Sequence, residues 1–295
     1  MKPARLWSTL LIALLAICVP SLATAQATDG TPIIAGTSYT LHSKILGDDR
    51  EVNVWLPTSY AKSTTRYTVL YVLDGARDQD FGHIAGLGQL GELSATYETL
   101  IVVGVQTRKR IYELTPKAAD PRYLKAFPQN GGAPEFRRFL NEEVVPFIDA
   151  KFRTGSRRAL MGESLAGLFV VDTLLESPRS FDDYIAVSPS LWWDDRALTR
   201  HGAALPPAND LKGRRLYLTV GNEGGLGRTG LNDLIAALSA HPQNGLVWNF
   251  VDRKASETHA TIYHVSALDA LRTFYKLPPY DTGPNPWWNV EGGTP

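Results

Sequence analysis

Runs of β-branched and aliphatic residues are the feature that most constrains how this chain folds. Residues 66–73 and 99–105 are almost continuously apolar, which is typical of central parallel strands covered on both faces. Residues 50–56 alternate between apolar and polar side chains, and this pattern predicts a half-buried edge strand. The same reasoning predicts further strands at residues 158–161, 184–188, 215–220 and 247–251.

Helical patterns separate these strands. Between residues 133 and 152 the apolar positions follow helical spacing, with Pro134 placed for a first turn and Pro146 expected to kink the helix. Further helices are predicted at residues 165–175, 231–239 and 262–275. The alternation predicts a single α/β domain over residues 28–276, built on a doubly wound, mostly parallel sheet with helices on both faces. Residues 277–295 are rich in Pro and Gly and predict an irregular C-terminal tail.

The N-terminal segment has the layout of an export signal. Lys2 and Arg5 precede an apolar run over residues 6–19, and small residues follow as far as Ala25 and Ala27. We therefore expect a secretory signal peptide over residues 1–27, a periplasmic or secreted mature protein, and no stable membrane insertion after cleavage. The chain's single cysteine lies in this segment, so we expect neither disulfides nor thiol chemistry in the mature protein.

The charge balance argues against one class of partner. The 295 residues include 30 Lys and Arg and 30 Asp and Glu, a formal net charge of zero. A chain without an overall basic field lacks the electrostatic signature of nucleic-acid binding, so we expect no nucleic-acid partner. The oligomeric state stays open.

The sharpest local motif is Gly-Glu-Ser-Leu-Ala-Gly at residues 162–167. It lies between a predicted strand and a predicted helix, which is the context of a nucleophile elbow, where a strained turn projects a serine above the sheet. Gly162 meets the requirement for a small residue, whereas Ala166 stands where the pattern has its second glycine. An ordinary Gly-rich turn is the alternative, and the flanking elements favour Ser164 as a nucleophile.

A nucleophilic serine needs a histidine to accept its proton. Four histidines follow Ser164 in the sequence, and His259 lies in the loop between the last strand and the last helix, where a general base is expected. His201 and His241 lie in polar or helix-end segments. His264 lies within the last helical pattern, so a structural role is expected.

The acid that orients the histidine should follow the strand at residues 215–220. Glu223 begins the glycine-rich loop after that strand and is the favoured acid. Glu257, two residues before His259, competes with it. We expect Glu257 to hold the loop instead, because a side chain so close in sequence reaches the imidazole with difficulty.

An oxyanion hole needs backbone amides aimed at the developing negative charge. One donor is expected from Leu165, the residue after the nucleophile. The other is expected from Ala76, in the loop that follows the strand at residues 66–73. A simple Asp-Gly turn is the alternative interpretation of that loop.

Taken together, these motifs resemble the Putative esterase family of α/β hydrolases, which contains enterochelin and related siderophore esterases. The resemblance extends from about Tyr39 to Tyr275, and the family more often has His at position 163 and Gly at position 166. Some family members are reported to work with a Ser and His pair alone. Besides the elbow, the segments that carry the resemblance are Tyr71–Gly75, Arg110 with Glu113–Pro116, Glu142–Ile148, Ser188–Asp194 and Glu257–His259.

Five residues outside the catalytic set are candidates for substrate binding. Trp192 and Trp193 follow a strand at the end of the sheet where ligands bind in open α/β folds, and either line a pocket or mainly pack. Arg77 and Arg110 follow strands at the same end, where cations would suit an anionic substrate. His83 either faces the pocket or caps its loop.

The motifs and the resemblance together predict an α/β-hydrolase fold and a serine esterase that cleaves carboxylic esters through an acyl-enzyme, and the N-terminal segment predicts that it is exported. Siderophore esters are the substrate class that the resemblance suggests, and we expect a small-molecule ester as partner with no cofactor and no metal. A general or feruloyl-type carboxylesterase and an acyltransferase to an alcohol acceptor remain alternatives. A catalytically silent ligand-binding homologue is the alternative that is not an enzyme.

Overall fold

An eight-stranded sheet runs through the computed structural model of the chain, which describes residues 30–31 and 33–278. Residues 34–278 belong to one compact unit, and the described residues before it have no regular secondary structure. The expected signal peptide over residues 1–27 lies outside the described residues, as does the expected tail beyond Pro278. No helix in the described part of the chain is long and apolar enough to cross a membrane.

The sheet confirms the predicted α/β-hydrolase fold class. Its spatial order is β1-β2-β4-β3-β5-β6-β7-β8. The six strands from β3 to β8 are parallel, whereas β1 and β2 pair antiparallel to each other and β2 pairs antiparallel to β4. The strands span Thr37–Ser43 (β1), Asp48–Trp55 (β2), Tyr67–Leu73 (β3), Leu100–Val105 (β4), Thr154–Glu163 (β5), Asp183–Val187 (β6), Arg215–Val220 (β7) and Val247–Asp252 (β8).

One prediction about the sheet edge is wrong. The alternating segment at residues 50–56 does form strand β2, but β1 pairs alongside it and takes the edge position. Strand β1 is mostly exposed and carries polar residues on both sides of its two apolar positions. The sequence pattern of β1 was too polar to stand out as a strand, because an edge strand needs only one partner and little burial.

Helices cover both faces, as predicted. Helices α1 and α10 pack on one face, and α4, α5, α6 and α9 pack on the other. The described part has ten α-helices, besides a 3₁₀ helix at Thr58–Lys62: Phe81–Ser94 (α1), Arg110–Leu114 (α2), Pro121–Ala126 (α3), Ala133–Phe139 (α4), Val145–Lys151 (α5), Leu165–Glu176 (α6), Trp193–Arg196 (α7), Ala208–Leu211 (α8), Gly225–Ala240 (α9) and Ile262–Phe274 (α10).

The helix predicted over residues 133–152 is continuous but irregular. A π-helical turn at residues 140–144 joins α4 to α5, and Pro146 lies in the first turn of α5. Proline has no amide hydrogen and clashes with the preceding turn, so widening that turn accommodates it. The disturbance expected at Pro146 is therefore a π-helical turn just before it.

Strand order places the site. The chain leaves β3, forms β4 on one side, and later returns to form β5 on the other side of β3. This reversal is a topological switch point, where the loops after neighbouring strands diverge and leave a crevice. The loop after β3 and the turn after β5 therefore meet at the carboxyl end of the sheet.

Candidate active site

Ser164 occupies a strained turn between β5 and α6. Its backbone has φ 62° and ψ −119°, in a region that residues with a side chain rarely adopt. The turn is held from both sides, because the Ser164 amide donates to the Val187 carbonyl at 3.0 Å and the Leu168 amide donates to the Ser164 carbonyl at 2.9 Å. This is the geometry predicted from the elbow motif.

Small residues allow the elbow to close. A Cβ added at Gly162 would lie 2.6 Å from the Cβ of Ala166, closer than real carbon atoms approach. Ala166 is fully buried, so its methyl group already fills the space between the two positions. The added Cβ would also lie 2.7 Å from the backbone carbonyl of Ala166, so position 162 must be glycine, whereas the buried methyl group of Ala166 is accommodated.

His259 lies beside the serine, in the loop between β8 and α10. Its Nε2 is 3.0 Å from Ser164 Oγ, and its Nδ1 is 2.7 Å from Oε1 of Glu223. These partners assign the tautomer with the proton on Nδ1, which donates to Glu223, while the Ser164 hydroxyl donates to Nε2. The structure thus brings together the three residues that the sequence singled out from different segments.

Glu223 accepts two hydrogen bonds through the same oxygen. Ser188 Oγ and His259 Nδ1 both donate to its Oε1. Burial opposes ionisation of this carboxyl, but the hydrogen bonds from Ser188 and His259 outweigh it and hold the pKa of Glu223 below its usual value. Glu223 is therefore a carboxylate at neutral pH.

Glu257, the competing acid, contacts the loop rather than the imidazole. Its Oε2 accepts from Thr261 Oγ1 at 2.7 Å, and its backbone carbonyl accepts from the Asn222 amide at 2.9 Å. The loop approaches β7 so closely that a Cβ added at Gly221 would lie 2.9 Å from the Glu257 carbonyl oxygen. Glu257 thus braces the segment that carries His259.

Two serines at the site were missed as individual residues. Ser188 is buried with a φ of 44°, and besides donating to Glu223 its Oγ lies 3.3 Å from His259 Nδ1. Ser190 Oγ lies 3.4 Å from Ser164 Oγ. The sequence signal was their position directly after β6, the strand beside the elbow strand, where side chains reach the same end of the sheet.

The two amides expected to form an oxyanion hole differ in their present bonding. Leu165 begins α6, and its amide has no hydrogen-bond partner among the described residues. The Ala76 amide donates to Gln79 Oε1 at 3.0 Å, and Gln79 Nε2 in turn donates to the Thr107 carbonyl at 3.0 Å. Ala76 can reach an oxyanion only by exchanging its bond to Gln79.

Arg110 joins the loop after β4 to the elbow. Its Nε donates to Asp74 Oδ2 at 2.8 Å, and its Nη2 lies 3.4 Å from the backbone carbonyl of Glu163. Thr107 Oγ1 donates to the other oxygen of Asp74. Arg110 also lines a cavity of about 470 Å³, which we call the basic cavity; its other lining residues include Lys109, Tyr112, Phe127 and Gln129.

A second cavity, of about 510 Å³, opens beside the imidazole of His259. We call it the acidic cavity; its lining includes Asp80, His83, Glu163, His259, Tyr263 and His264. Burial raises the pKa of Glu163 to about 7 and that of Asp80 to about 6. Burial and the neighbouring His264 lower the pKa of His83.

The remaining predicted binding residues have distinct surroundings. Trp192 is partly exposed and stacks on Tyr123 with ring centroids 6.2 Å apart. Trp193 is only 3% exposed and donates from Nε1 to the Pro116 carbonyl, so packing dominates its contacts. Arg77 pairs with Glu51 at 3.0 Å. His83 faces the acidic cavity, with its ring centroid 5.7 Å from that of His264.

An imidazole held between a hydroxyl and a carboxylate is suited to one kind of chemistry. The hydroxyl can lose its proton to Nε2 as it attacks a carbonyl carbon, while the carboxylate at Nδ1 stabilises the resulting imidazolium. In the described part of the chain, no group of three or more His, Cys, Asp or Glu side chains is arranged to hold a metal ion. The arrangement matches the requirements of acyl transfer.

Comparison with known proteins places this geometry in a family context. The family model described as Putative esterase matches residues 43–269. The siderophore enterobactin esterase of Emericella nidulans is 37% identical over 120 residues, which cover 36% of this chain and 40% of that protein. Ferri-bacillibactin esterase BesA of Bacillus subtilis is 30% identical over 156 residues, covering 50% of this chain and 53% of BesA. The chain thus spans about half or less of the length of these curated relatives.

A solved structure extends the similarity over most of the fold. The IroE-like serine hydrolase from Shewanella oneidensis superposes with a TM-score of 0.69 and 26% sequence identity. The superposition covers 81% of this chain and 80% of that one.

Proposed function

The chain belongs to the Putative esterase family, and from that premise we propose that it hydrolyses carboxylic esters with Ser164 as the nucleophile. One observation carries the proposal: a single imidazole, His259, lies 3.0 Å from Ser164 Oγ through Nε2 and 2.7 Å from Glu223 through Nδ1. His259 is then the general base and Glu223 the acid that fixes its tautomer.

In the first half of the reaction, Ser164 Oγ forms a bond to the ester carbonyl carbon while its proton moves to His259 Nε2. The carbonyl oxygen becomes an oxyanion. The Leu165 amide, at the positive end of α6, donates a hydrogen bond to it and stabilises its charge. The bond to the alcohol oxygen then breaks, and that oxygen takes the proton from Nε2. The product bound to the enzyme is an acyl ester of Ser164.

In the second half, water replaces the departed alcohol. It gives a proton to His259 Nε2 as its oxygen attacks the acyl carbon, and Ser164 leaves with that proton as the carboxylic acid is released. Ala76 is the second oxyanion donor in this proposal. Before substrate binds, the Gln79 side chain accepts a hydrogen bond from the Ala76 amide and holds it in place. When the oxyanion forms, the Ala76 amide donates to it instead of to Gln79.

The basic cavity supports a substrate class. It combines the cation of Lys109 with the aromatic rings of Tyr112 and Phe127, and Arg110, which is paired with Asp74, borders it. Cations and aromatic faces together suit an anionic aromatic acyl group. The names of the relatives, which include an enterobactin esterase and a ferri-bacillibactin esterase, support siderophore esters as the substrates proposed for this chain.

We also propose that the protein is exported. The support is the sequence of residues 1–27, in which Lys2 and Arg5 precede an apolar run and a group of small residues. Fractionation of cells that express the full chain tests this, with N-terminal sequencing of the mature protein. An N-terminus after Ala25 or Ala27 is expected, and a protein that keeps residues 1–27 contradicts export by cleavage.

Covalent labelling tests the nucleophile without requiring the natural substrate. A fluorophosphonate probe is expected to add once to the purified protein and not at all to Ser164→Ala, with circular dichroism confirming that both are folded. Labelling of the folded Ser164→Ala variant at the wild-type rate would contradict the assignment.

The substrate is tested by product analysis. Aryl esters, feruloyl esters and a trilactone siderophore with and without iron are compared, and the siderophore is expected to give the highest kcat/KM. Added alcohols compete with water for the acyl-enzyme, so transfer products in place of the free acid would assign the protein as an acyltransferase instead.

A further inference from the structure

Glu163 places a second carboxyl beside the imidazole of His259. It is the last residue of β5, directly before Ser164, and its Oε1 lies 3.5 Å from His259 Nε2. That nitrogen is the one that Ser164 Oγ faces at 3.0 Å. The imidazole therefore has a carboxyl at each nitrogen, with Glu223 at Nδ1 and Glu163 at the nitrogen that must accept the serine proton.

The groups around Glu163 come from five parts of the fold: the loop after β3, helices α1, α2 and α10, and the loop before α10. Burial raises its pKa to about 7, His259 and Arg110 oppose that rise, and Asp80 and Asp74 add to it. The side chains of His83, Tyr263 and His264 complete the lining of the acidic cavity. Burial and the same three carboxyls, Asp80, Asp74 and Glu163, raise the pKa of Tyr263 well above its usual value, so Tyr263 stays neutral.

We propose that Glu163 is a positioning residue that holds a proton against Nε2 of His259 and so delays the release of the general base to higher pH. The inference rests on the proposed function, since it takes Ser164 as the nucleophile and His259 as the base. It adds a role for a residue that the mechanism above does not use.

Glu163 and His259 together exist in states with two, one or no titratable protons. With two protons, both Glu163 and His259 are protonated and Nε2 is blocked. With one proton, the carboxylate attracts an imidazolium, or the carboxylic acid faces Nε2 from 3.5 Å; in both arrangements a proton occupies or faces Nε2. Only loss of this second proton leaves Nε2 free for Ser164.

Removing the charge of Glu163 is therefore expected to free the base at lower pH. The two groups lie 3.5 Å apart, and an opposite charge within about 4–6 Å shifts a titration by about 1–3 pH units. We expect the acidic limb of the rate profile to move down by about one pH unit in Glu163→Gln.

The experiment measures the rate of fluorophosphonate labelling between pH 5 and pH 9 for the wild type, Glu163→Gln and Glu163→Met. Gln keeps the shape without the charge, and Met also removes hydrogen bonding to Nε2. Both variants are expected to shift the midpoint of labelling to lower pH. A midpoint equal to the wild type in both folded variants overturns the inference, because a purely structural role would scale the rate at every pH.

Asp80→Asn is the matched control. Asp80 lines the same cavity and influences Glu163 through its charge, whereas its own carboxyl has no hydrogen bond to His259 among the described residues. We expect a smaller shift than in the Glu163 variants. A shift as large as theirs would assign the effect to the charge of the cavity as a whole and overturn the role of the Glu163 contact.

The same assay separates the two proposals. Labelling of the wild type that is lost in Ser164→Ala supports the proposed function, whatever the Glu163 variants show. An unlabelled wild type overturns the proposed function and the inference with it. A labelled wild type with unshifted Glu163 variants overturns the inference alone.

Discussion

The two sides of the His259 ring carry carboxyls of nearly equal exposure and opposite behaviour. The Glu223 side chain is 24% exposed and that of Glu163 is 19% exposed. Ser188 and His259 donate to Glu223, and its pKa lies below the usual value. No hydrogen bond to the Glu163 carboxyl occurs among the described residues, and burial raises its pKa to about 7. Burial raises the pKa of the Glu163 carboxyl, whereas at Glu223 the hydrogen bonds from Ser188 and His259 outweigh the effect of burial.

The two cavities differ in how their polar groups are paired. In the basic cavity Arg110 is paired with Asp74, so its charge already has a partner. In the acidic cavity, His83 Nε2 and Tyr263 Oη are buried without a hydrogen-bond partner among the described residues. Glu223 Oε2, on the other side of the ring, is likewise buried without a partner among the described residues, so both sides carry unsatisfied polar atoms.

The largest effect is expected from removing the ring that both sides share. His259→Ala leaves Ser164 without a base, and ester cleavage should fall by about 10⁴-fold or more. His264→Ala is the control, because His264 lines the acidic cavity without contacting Ser164. We expect the latter to keep most of its activity, because His264 is exposed and forms no hydrogen bond to Ser164 or Glu223 among the described residues. Reversed phenotypes in steady-state kinetics would move the base to α10.

A smaller loss is expected from neutralising the Glu223 side. Glu223→Gln keeps the shape but removes the charge that stabilises the imidazolium, which is worth up to about 10⁴ in rate in a tightly coupled triad. Glu257→Gln should lose far less, because Glu257 contacts Thr261 rather than the ring. The kcat values of the two variants are compared, with circular dichroism as a folding check.

Two other results would change this assignment. Equal small losses in both variants would indicate a Ser and His pair that works without an acid. A large loss confined to Glu257→Gln would transfer the role to the loop before His259.

The smallest effect concerns stability on the Glu163 side. The folded-state pKa of Glu163, about 7, lies above its ordinary value of 4.5, so the folded protein binds this proton more tightly than the unfolded chain. The penalty for burying the charge is absent below pH 4.5, grows as pH rises, and is complete above pH 7.

Glu163→Gln should therefore change the free energy of unfolding more favourably at pH 8 than at pH 5. The difference between the two changes should be on the order of 2–3 kcal/mol. Thermal melts at the two pH values measure the difference. Glu142→Gln provides the control, since Glu142 is exposed and pairs with Arg138 on the surface. Equal Tm changes at pH 5 and pH 8 in Glu163→Gln would show that Glu163 is ionised at both.

The elements that were predicted from the sequence share a strong local pattern. Strands β3 and β4 are buried on both faces and are apolar throughout, so their composition alone identified them. Helix α1 was missed because four glycines in 14 residues weaken its helical signal. Two of them allow aromatic side chains to pack closely against the helix. An added Cβ would lie 2.8 Å from Trp55 at Gly88 and 2.2 Å from Tyr97 at Gly91. Trp55 belongs to a distant strand, and Tyr97 folds back onto α1 from just beyond its end, so neither contact shows in the helical pattern itself.

The residues of the candidate site likewise divide into those that a local pattern predicted and those that only the tertiary structure identified. Ser164 and His259 were identified from a turn motif and a loop position, because the elbow and the order of strands restrict which residues can reach the end of the sheet. The choice of Glu223 over Glu257 was argued from strand order, and the structure brings Glu223 to the ring. The roles of Ser188 and Ser190 depend on β6 lying beside β5, and no local sequence pattern predicts which strands are neighbours in the sheet.

By itself, the sequence determined the fold class and the strained turn that carries Ser164. Both follow from local preferences. Burial of apolar runs is favourable, and a tight strand-to-helix turn requires small residues beside it. Only the tertiary structure decided the charges around His259. The ionisation of Glu163 and Glu223 depends on which donors and which buried surfaces other segments bring within a few ångströms, and electrostatic interactions at that range are set by distances in space rather than along the chain.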